Sequence, residues 1–448
     1  MKTCPTPRTW LAAFFLDAAL VFAPHVYAIQ AMQTFTVNST QDLIDDNTSD
    51  SVCHTAANTC TLRAAIMQAN RSPGEGATIQ LPAGTYTLTR LPASGDGDDT
   101  GDLNLTTPTL DDPPITIVGA SAATTIIDAG HIDRVFHVGL SRTATLRGIT
   151  LRNGLAGNLN AEGGGIWNQG NLTLDHAVVS GNHADYGGGI LNFGTLTMQG
   201  STLASNVGAV SGGGLYNQAY GGGAGRVTMT ASTIASNTAK YGGGLINYGD
   251  IDTVNSTIAG NEAVDDGGGI YNQGSSANIY NTTIAYNDAD QDRDGIGLGG
   301  GVYIVGAGTH LNQFMSLVAG NTMGNTPIYD DCDGNGYLVE YGLNILGTDA
   351  DSLSGCTITI ATGHWAYLNS LALLGGLNNN GGSTPTIALL NGNNAIDQGH
   401  PLSPYTCIDQ NHNALDNDQR GYARTDSACD IGAFEYGAVD TIFKNGFE

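Results

Sequence analysis

Asp290, Asp292 and Asp294 alternate with single residues and run into Gly295. Carboxylates at every second position followed by glycine let a short loop wrap several oxygens around a hard cation, and calcium suits such a loop. Asp288 is a candidate for an extra ligand. The loop does not complete an EF-hand, because its twelfth position is Gly301 rather than glutamate. A solvated acidic turn is the plainer alternative. The same two readings apply to Asp96, Asp98, Asp99 and Asp102, and to Asp330, Asp331 and Asp333 around Cys332. No organic cofactor is expected.

A second candidate is aromatic. Trp167, Tyr216, Tyr271 and Tyr303 each follow an aliphatic residue that follows three glycines. If those aliphatics point inward, the four rings point outward in one column with Leu191 and Ile246. Such a column can stack on sugar rings or on a partner's apolar edge. Its members can equally stack on one another or lie under a loop.

Catalysis is harder to find. A lyase acting on uronates needs a basic group near its cation, and between Gly163 and Asn321 only Arg226, Lys240 and Arg293 are basic. A glycoside hydrolase needs paired carboxylates in a groove. Asp265 and Asp266 are adjacent, but neighbouring residues usually point apart. The histidines form no array, and no Gly-x-Ser-x-Gly motif occurs.

The elements that would hold these residues are repeats. Glycine triplets begin at Gly163, Gly187, Gly212, Gly242, Gly267 and Gly299. Each unit also places an aliphatic three residues before an asparagine: Val179/Asn182, Leu203/Asn206, Ile234/Asn237, Ile258/Asn261, Ile284/Asn287 and Val318/Asn321. A self-similar period in this range means stacked supersecondary units. Within Gly187 to Ser211 the apolar residues alternate in three short runs broken by Gly and Asn, which predicts strands. The expected fold is all-β: a right-handed parallel β-helix with three strands and about 24–25 residues per coil. The asparagine columns Asn168/Asn192/Asn217/Asn247/Asn272 and Asn182 to Asn321 suit its corners. Asparagine tolerates left-handed backbone, and stacked amides can bond along the axis. Ile304 ends the first column. An open end needs a cap, and residues 62–70 (LRAAIMQAN) supply a short amphipathic helix for it.

Bulk properties bound the setting. Residues 1–28 have a basic start, an apolar stretch and a small-residue cleavage site, which predicts a signal peptide. No transmembrane helix is expected after it. The remaining chain carries 13 basic and 40 acidic side chains, a field that repels nucleic acid. Its six cysteines form local pairs, Cys53/Cys60, Cys332/Cys356 and Cys407/Cys429. Three disulfides are expected in an oxidising compartment, although 15 connectivities are open. Oligomeric state is not legible.

Some stretches resemble families of exported bacterial proteins. Cys60-Thr-Leu-Arg-Ala-Ala-Ile66 with Ala69-Asn70, and TGDLNL at 100–105, resemble the CSLREA domain, with Thr61 and Ala64 replacing the motif's Ser and Glu. NNGGSTPTIALLNGNNAIDQG at 379–399, Asp418 to Arg424 and Cys429 to Glu435 look like the choice-of-anchor Q domain. The repeats are similar to polymorphic outer-membrane-protein repeats, with aliphatics in place of Phe. The tail IFKNGFE at 442–448 is similar to short tails of secreted proteins.

The resemblance implies a β-helix on the cell surface or outside the cell, exported through the inner membrane to a Gram-negative outer envelope, and it implies no reaction. The expected organisation is signal peptide 1–28, cap region 29–102, β-helix 103–345, choice-of-anchor Q-like region 346–436 and tail 437–448 as a sorting signal. The expected function is adhesin-like binding of glycans or envelope components. A polysaccharide lyase or glycoside hydrolase, the lyase assisted by calcium, is the alternative.

Overall fold

A computed structural model of the chain describes residues 32–71, 76–93, 97–106, 113–157, 161–218, 225–274, 276–324, 328–347, 355–361, 365–370, 373–399, 407–424 and 428–438. The expected signal peptide and all but two residues of the tail lie outside the described residues.

One coil shows why the repeat folds as it does. Ile190–Asn192, Thr195–Gln199, Thr202–Ala204 and Val207–Ser211 are four short strands joined by tight corners. Alternation sends Ile190, Leu196, Met198 and Leu203 into the interior, all at 0% exposure. The glycine triplet is dictated by crowding. Gly187 has φ +65°, a Cβ on Gly188 would meet the backbone of Val207, and one on Gly189 would meet the carbonyl of Gly214.

Stacking these coils gives an all-β parallel β-helix, as expected. A first face gathers nine strands from Leu103–Leu105 to Cys332–Gly334. The second has twelve, from Gln33–Thr36 to Thr357–Ile360, and the third has eleven, from Gly84–Thr87 to Trp365–Ser370. A fourth ladder of seven strands, His183–Tyr186 to Ile328–Tyr329, lies between the third and first faces in chain order. Three strands per coil therefore undercounts the middle coils. The run between Asn182 and the next triplet is itself extended. The ladders also begin at Gln33 and end at Ser370, beyond the 103–345 span expected, because the less regular end coils lack the glycine triplet.

Both asparagine columns are buried amide ladders. Asn168, Asn192, Asn217 and Asn247 each donate to the next rung at 2.6–2.9 Å, finishing on Asn272. Asn182 to Asn287 do the same at 2.8–3.0 Å, finishing on Asn321. Each amide also bonds a backbone group, so no buried donor of the column is wasted. For the column Asn182 to Asn321, the expected left-handed position falls one residue earlier, on Gly181, Ser205, Ser236, Gly260, Tyr286 and Gly320. A third ladder was not expected. Backbone amides at the corner between the second and third faces donate to the hydroxyls of Ser201, Ser232, Ser256 and Ser316 one coil on.

The first coils are closed by the helix that their composition suggests. Helix Leu62–Ala69, capped by the Thr61 hydroxyl on Ala64 N, is wholly buried against the first coils. Its Arg63 pairs with Asp42 at 2.6 Å and donates to the carbonyls of Gly101 and Asp102. Disulfides join Cys53–Cys60, Cys332–Cys356 and Cys407–Cys429.

The C-terminal region does not stand apart. Its hairpin, Leu374–Asn378 with Thr386–Leu389, and the loops after it lie along the third face. Gln419 is central to the contact. Its side chain accepts from Thr257 Oγ1 at 2.6 Å and donates to Thr233 Oγ1 and Thr384 Oγ1 at 2.9 Å. Thr283 Oγ1 accepts from Ala433 N, and Asn255 bonds both Asn417 O and Arg424. The third face offers outward Ala235, Ala259 and Ala285 here, small enough to let the layer approach, and all are buried. Within the layer, Arg420 lies 3.7 Å over the Phe434 ring and Arg424 pairs with Glu435 at 2.7 Å.

Candidate functional site

Outward positions of the first face stack in register: His137, Trp167, Leu191, Tyr216, Ile246, Tyr271, Tyr303 and Asp333. Trp167, Tyr216, Tyr271 and Tyr303 are partly exposed, but Leu191 and Ile246 are 1% exposed. The expected open column is therefore interrupted at the two aliphatic rungs. The rings fall into groups. Trp167 stacks on His137 at 4.5 Å with Arg134 5.0 Å from its ring centre. Tyr216 meets Tyr186 and Tyr248 at 5.6 and 5.5 Å, and Tyr271 meets Tyr241 and Tyr303 at 6.1 and 5.3 Å. Tyr186, Tyr241 and Tyr248 were not singled out from the sequence. Their signal was position: Tyr186 and Tyr241 directly precede a triplet, and Tyr248 directly follows an asparagine rung.

Carboxylates gather at one end of this strip. Asp266 accepts from Leu298 N at 3.0 Å, Asp330 from Gly299 N at 2.6 Å, and Asp333 shares their field. Burial pushes Asp266 and Asp330 up to about 6, with neighbouring negative charge adding to the shift, and burial raises Asp333 as well. Burial and nearby negative charge raise Tyr271 and Tyr303 too. Asp265 turns away from Asp266 and lies 3.5 Å from Lys240, so the adjacent pair does point apart. Asp331, beside Asp330, faces the interior instead, where its Oδ1 accepts from Asn321 at 2.7 Å.

The acidic loop follows strand Asp288–Ala289 of the fourth ladder. Asp290, Asp292 and Asp294 present oxygens within 4.8 Å of one another. Asp290 is buried and accepts from Gly295 N, while Asp292 and Asp294 are exposed. This donor set is hard and oxygen-only, which fits calcium better than a softer metal. Asp288 is not one of the three. Its Oδ1 takes the Thr322 hydroxyl at 2.6 Å, because its strand sets it beside Thr322 in the fourth ladder. Of the basic residues a lyase reading could use, Arg226 lies on the second face, 3.5 Å from Asp252, Lys240 pairs with Asp265, and Arg293 lies within the acidic loop itself. Of the other acidic groups, Asp98 pairs with Arg71 and Asp102 with Arg134, both at 2.7 Å. Asp96 lies outside the described residues.

No protein-family model matches the chain, and no curated protein matches it. Among solved structures, the crystal structure of pectate lyase Pel9A is similar at 14% identity and a TM-score of 0.45, over 91% of this chain and 97% of that one. Among the described residues, no helix is long and apolar enough to cross a membrane.

Proposed function

We propose that the protein is an exported, surface-displayed β-helix that binds glycans along the tyrosine-bearing outer side of its first face, in an adhesin-like role. The observation that carries this reading is the set of partly exposed rings at Tyr216, Tyr271 and Tyr303, held in register by the ladder beneath them. Rings fixed by backbone pairing lose little freedom on meeting a sugar face, which favours stacking. Three disulfides suit an oxidising, exported setting. In this reading the terminal motifs mark a chain of the CSLREA and choice-of-anchor Q kind. Calcium held by Asp290, Asp292 and Asp294 stiffens the loop that enters the Gly299 rung. A glycan array probed with the signal-free chain, with and without chelator, tests the proposal. Tyr216→Ala with Tyr271→Ala should weaken the best ligand at least about tenfold; unchanged binding overturns it.

A second reading, glycoside hydrolysis, is favoured by Asp266, Asp330 and Asp333 at the end of the strip, where a carboxyl held protonated can sit beside an ionised one. Reducing ends released from neutral polysaccharides, and lost in Asp266→Asn, would support it over simple binding.

A further inference from the structure

A cavity of about 390 Å³ opens at the corner between the second and third faces, away from the tyrosine strip. Arg147, His176, Gly200 and Ser383 are among the residues that line it. His176 occupies the left-handed corner position of its coil, φ +51°, with Gly148 and Gly200 at the same corner one coil to either side. The same corner is left-handed in successive coils, at Ala231, Asn255, Asn281 and Met315 as well, so the solenoid's turn sets the backbone and His176 is the imidazole that the column carries. The flanking glycines leave its ring uncovered.

The imidazole is oriented from one side. His176 Nδ1 lies 2.5 Å from Asp175 Oδ1, and Arg147 Nε donates to Asp175 Oδ2 at 2.6 Å. With the Nδ1 proton donated to Asp175 Oδ1, Nε2 is the acceptor nitrogen and lies on the cavity side of Gly200. Ser383 Oγ and His176 Nε2 lie 3.0 and 3.1 Å from the point where a Cβ on Gly200 would stand. The hydroxyl and the imidazole thus converge over one glycine, without a direct bond in the free protein. Catalytic contacts of this kind commonly tighten only with substrate bound.

Ser383 comes from more than 200 residues further along the chain, and its backbone is well fixed. Thr384 Oγ1 donates to Ala231 O at 3.1 Å, and Thr233 Oγ1 donates to Pro385 O at 2.7 Å. Before it, Gly381 and Gly382 have φ +99° and +81°, and a Cβ on either would strike Tyr422 or Arg420. This double-glycine turn sets the serine outward at the mouth of the cavity.

We propose that Asp175, His176 and Ser383 form a second site that hydrolyses short-chain carboxylic esters, such as O-acetyl groups. Ser383 Oγ adds to the ester carbonyl carbon as its proton passes to His176 Nε2, and the carbonyl electron pair moves onto oxygen. Asp175 holds the imidazolium in place. Arg147, which lines the cavity, is the cation available to offset the charge that develops on that oxygen. Collapse breaks the bond to the alcohol oxygen, which leaves with the proton from Nε2. Water then attacks the acyl-serine by the same route, releasing the acid and restoring the hydroxyl. The cavity, at about 390 Å³, has ample room for an acetyl-sized acyl group.

The test uses the full chain with p-nitrophenyl acetate and a fluorophosphonate probe. Turnover, and a probe adduct located on Ser383 by peptide mass, are the expected results. Ser383→Ala and His176→Ala should each lower turnover about a hundredfold or more, and Ser383→Ala should leave the unfolding midpoint unchanged because the side chain is exposed. Absence of both turnover and adduct overturns the proposal. So does an adduct elsewhere, or activity that survives in Ser383→Ala. None of these outcomes bears on glycan binding by the first face.

Discussion

Asn321 donates its side-chain amide to Asp331 Oδ1 at 2.7 Å, so the longer asparagine ladder ends on a carboxylate. Asp331 stands 10 residues after Asn321 rather than one coil later, because the chain doubles back through an antiparallel pair of short strands, Thr322–Met323 and Ile328–Tyr329. Its Oδ1 also accepts from Asn321 N at 2.9 Å, while buried Oδ2 has no hydrogen-bond partner among the described residues. Burial pushes this carboxyl up to about 7.

Asp331→Asn should therefore stabilise the protein at pH 8 and do little at pH 5, where the native carboxyl already carries its proton. The expected gain at the higher pH is about 1–3 kcal/mol, the size of an unpartnered buried group's cost. Denaturant midpoints at the two pH values check it. An equal effect at both would mean that the charge is not what the fold resists.

Stability of the unmodified chain should fall as pH rises from about 4 to about 8. Asp266, Asp330 and Asp430 are raised to about 6, Asp331 to about 7 and Glu340 to about 8, all chiefly by burial. Across that window the folded state binds more protons than the unfolded state, so each step upward in pH favours unfolding. Asp128, Asp175 and Asp409 are lowered by hydrogen bonds and, for the first two, by basic neighbours. Their contribution is lost only below the ordinary carboxylate range. A thermal midpoint that peaks near about pH 4 is expected, and a midpoint that climbs towards pH 8 would contradict it.

Asn237→Ala removes a middle rung. Its amide donates to Leu203 O and Asn261, and its oxygen takes both Asn206 N and Asn206 Nδ2. Losing these orphans Asn206 donors and the Leu203 carbonyl in a dry interior, so a cost of about 3–5 kcal/mol is expected. Equilibrium unfolding measures it. An effect below about 1 kcal/mol would show that the ladder is incidental to stability.

Gln419→Ala should loosen the C-terminal layer before it affects the coils. The side chain joins Thr233, Thr257 and Thr384, and no shorter residue bridges them. Limited proteolysis should cut within 373–438 several times faster in the variant, while the coil fragment persists. Uniform digestion of the whole chain would indicate that layer and coils unfold together.

Much of this architecture was legible in the residues. Glycine triplets dictated close backbone stacking, local cysteine pairs were near enough to bond, and a lone amphipathic segment had to cap the first coil. What escaped depends on contacts made across the chain. Leu191 and Ile246 share their register with the partly exposed rings, so no periodicity marks their burial. Asp288 shares its spacing with the acidic loop, but a strand turns it to Thr322. The serine ladder was present as a column, Ser201, Ser232, Ser256 and Ser316, yet a hydroxyl's partner one coil away cannot be read from its own neighbours. The docked layer left a signal that went unused. Thr-Ile-Ala recurs at 233–235, 257–259 and 283–285, and an outward alanine on three successive rungs makes sense only beneath a cover.

That cover is synthesised after the coils it lies on. Until residues 373–438 emerge, the flank bearing Ala235, Ala259 and Ala285 stands bare as a flat run of methyl and hydroxyl groups, a surface that another nascent copy could occupy. A chain interrupted before Gln419 would carry that vulnerability permanently, and self-association rather than unfolding would be its first failure.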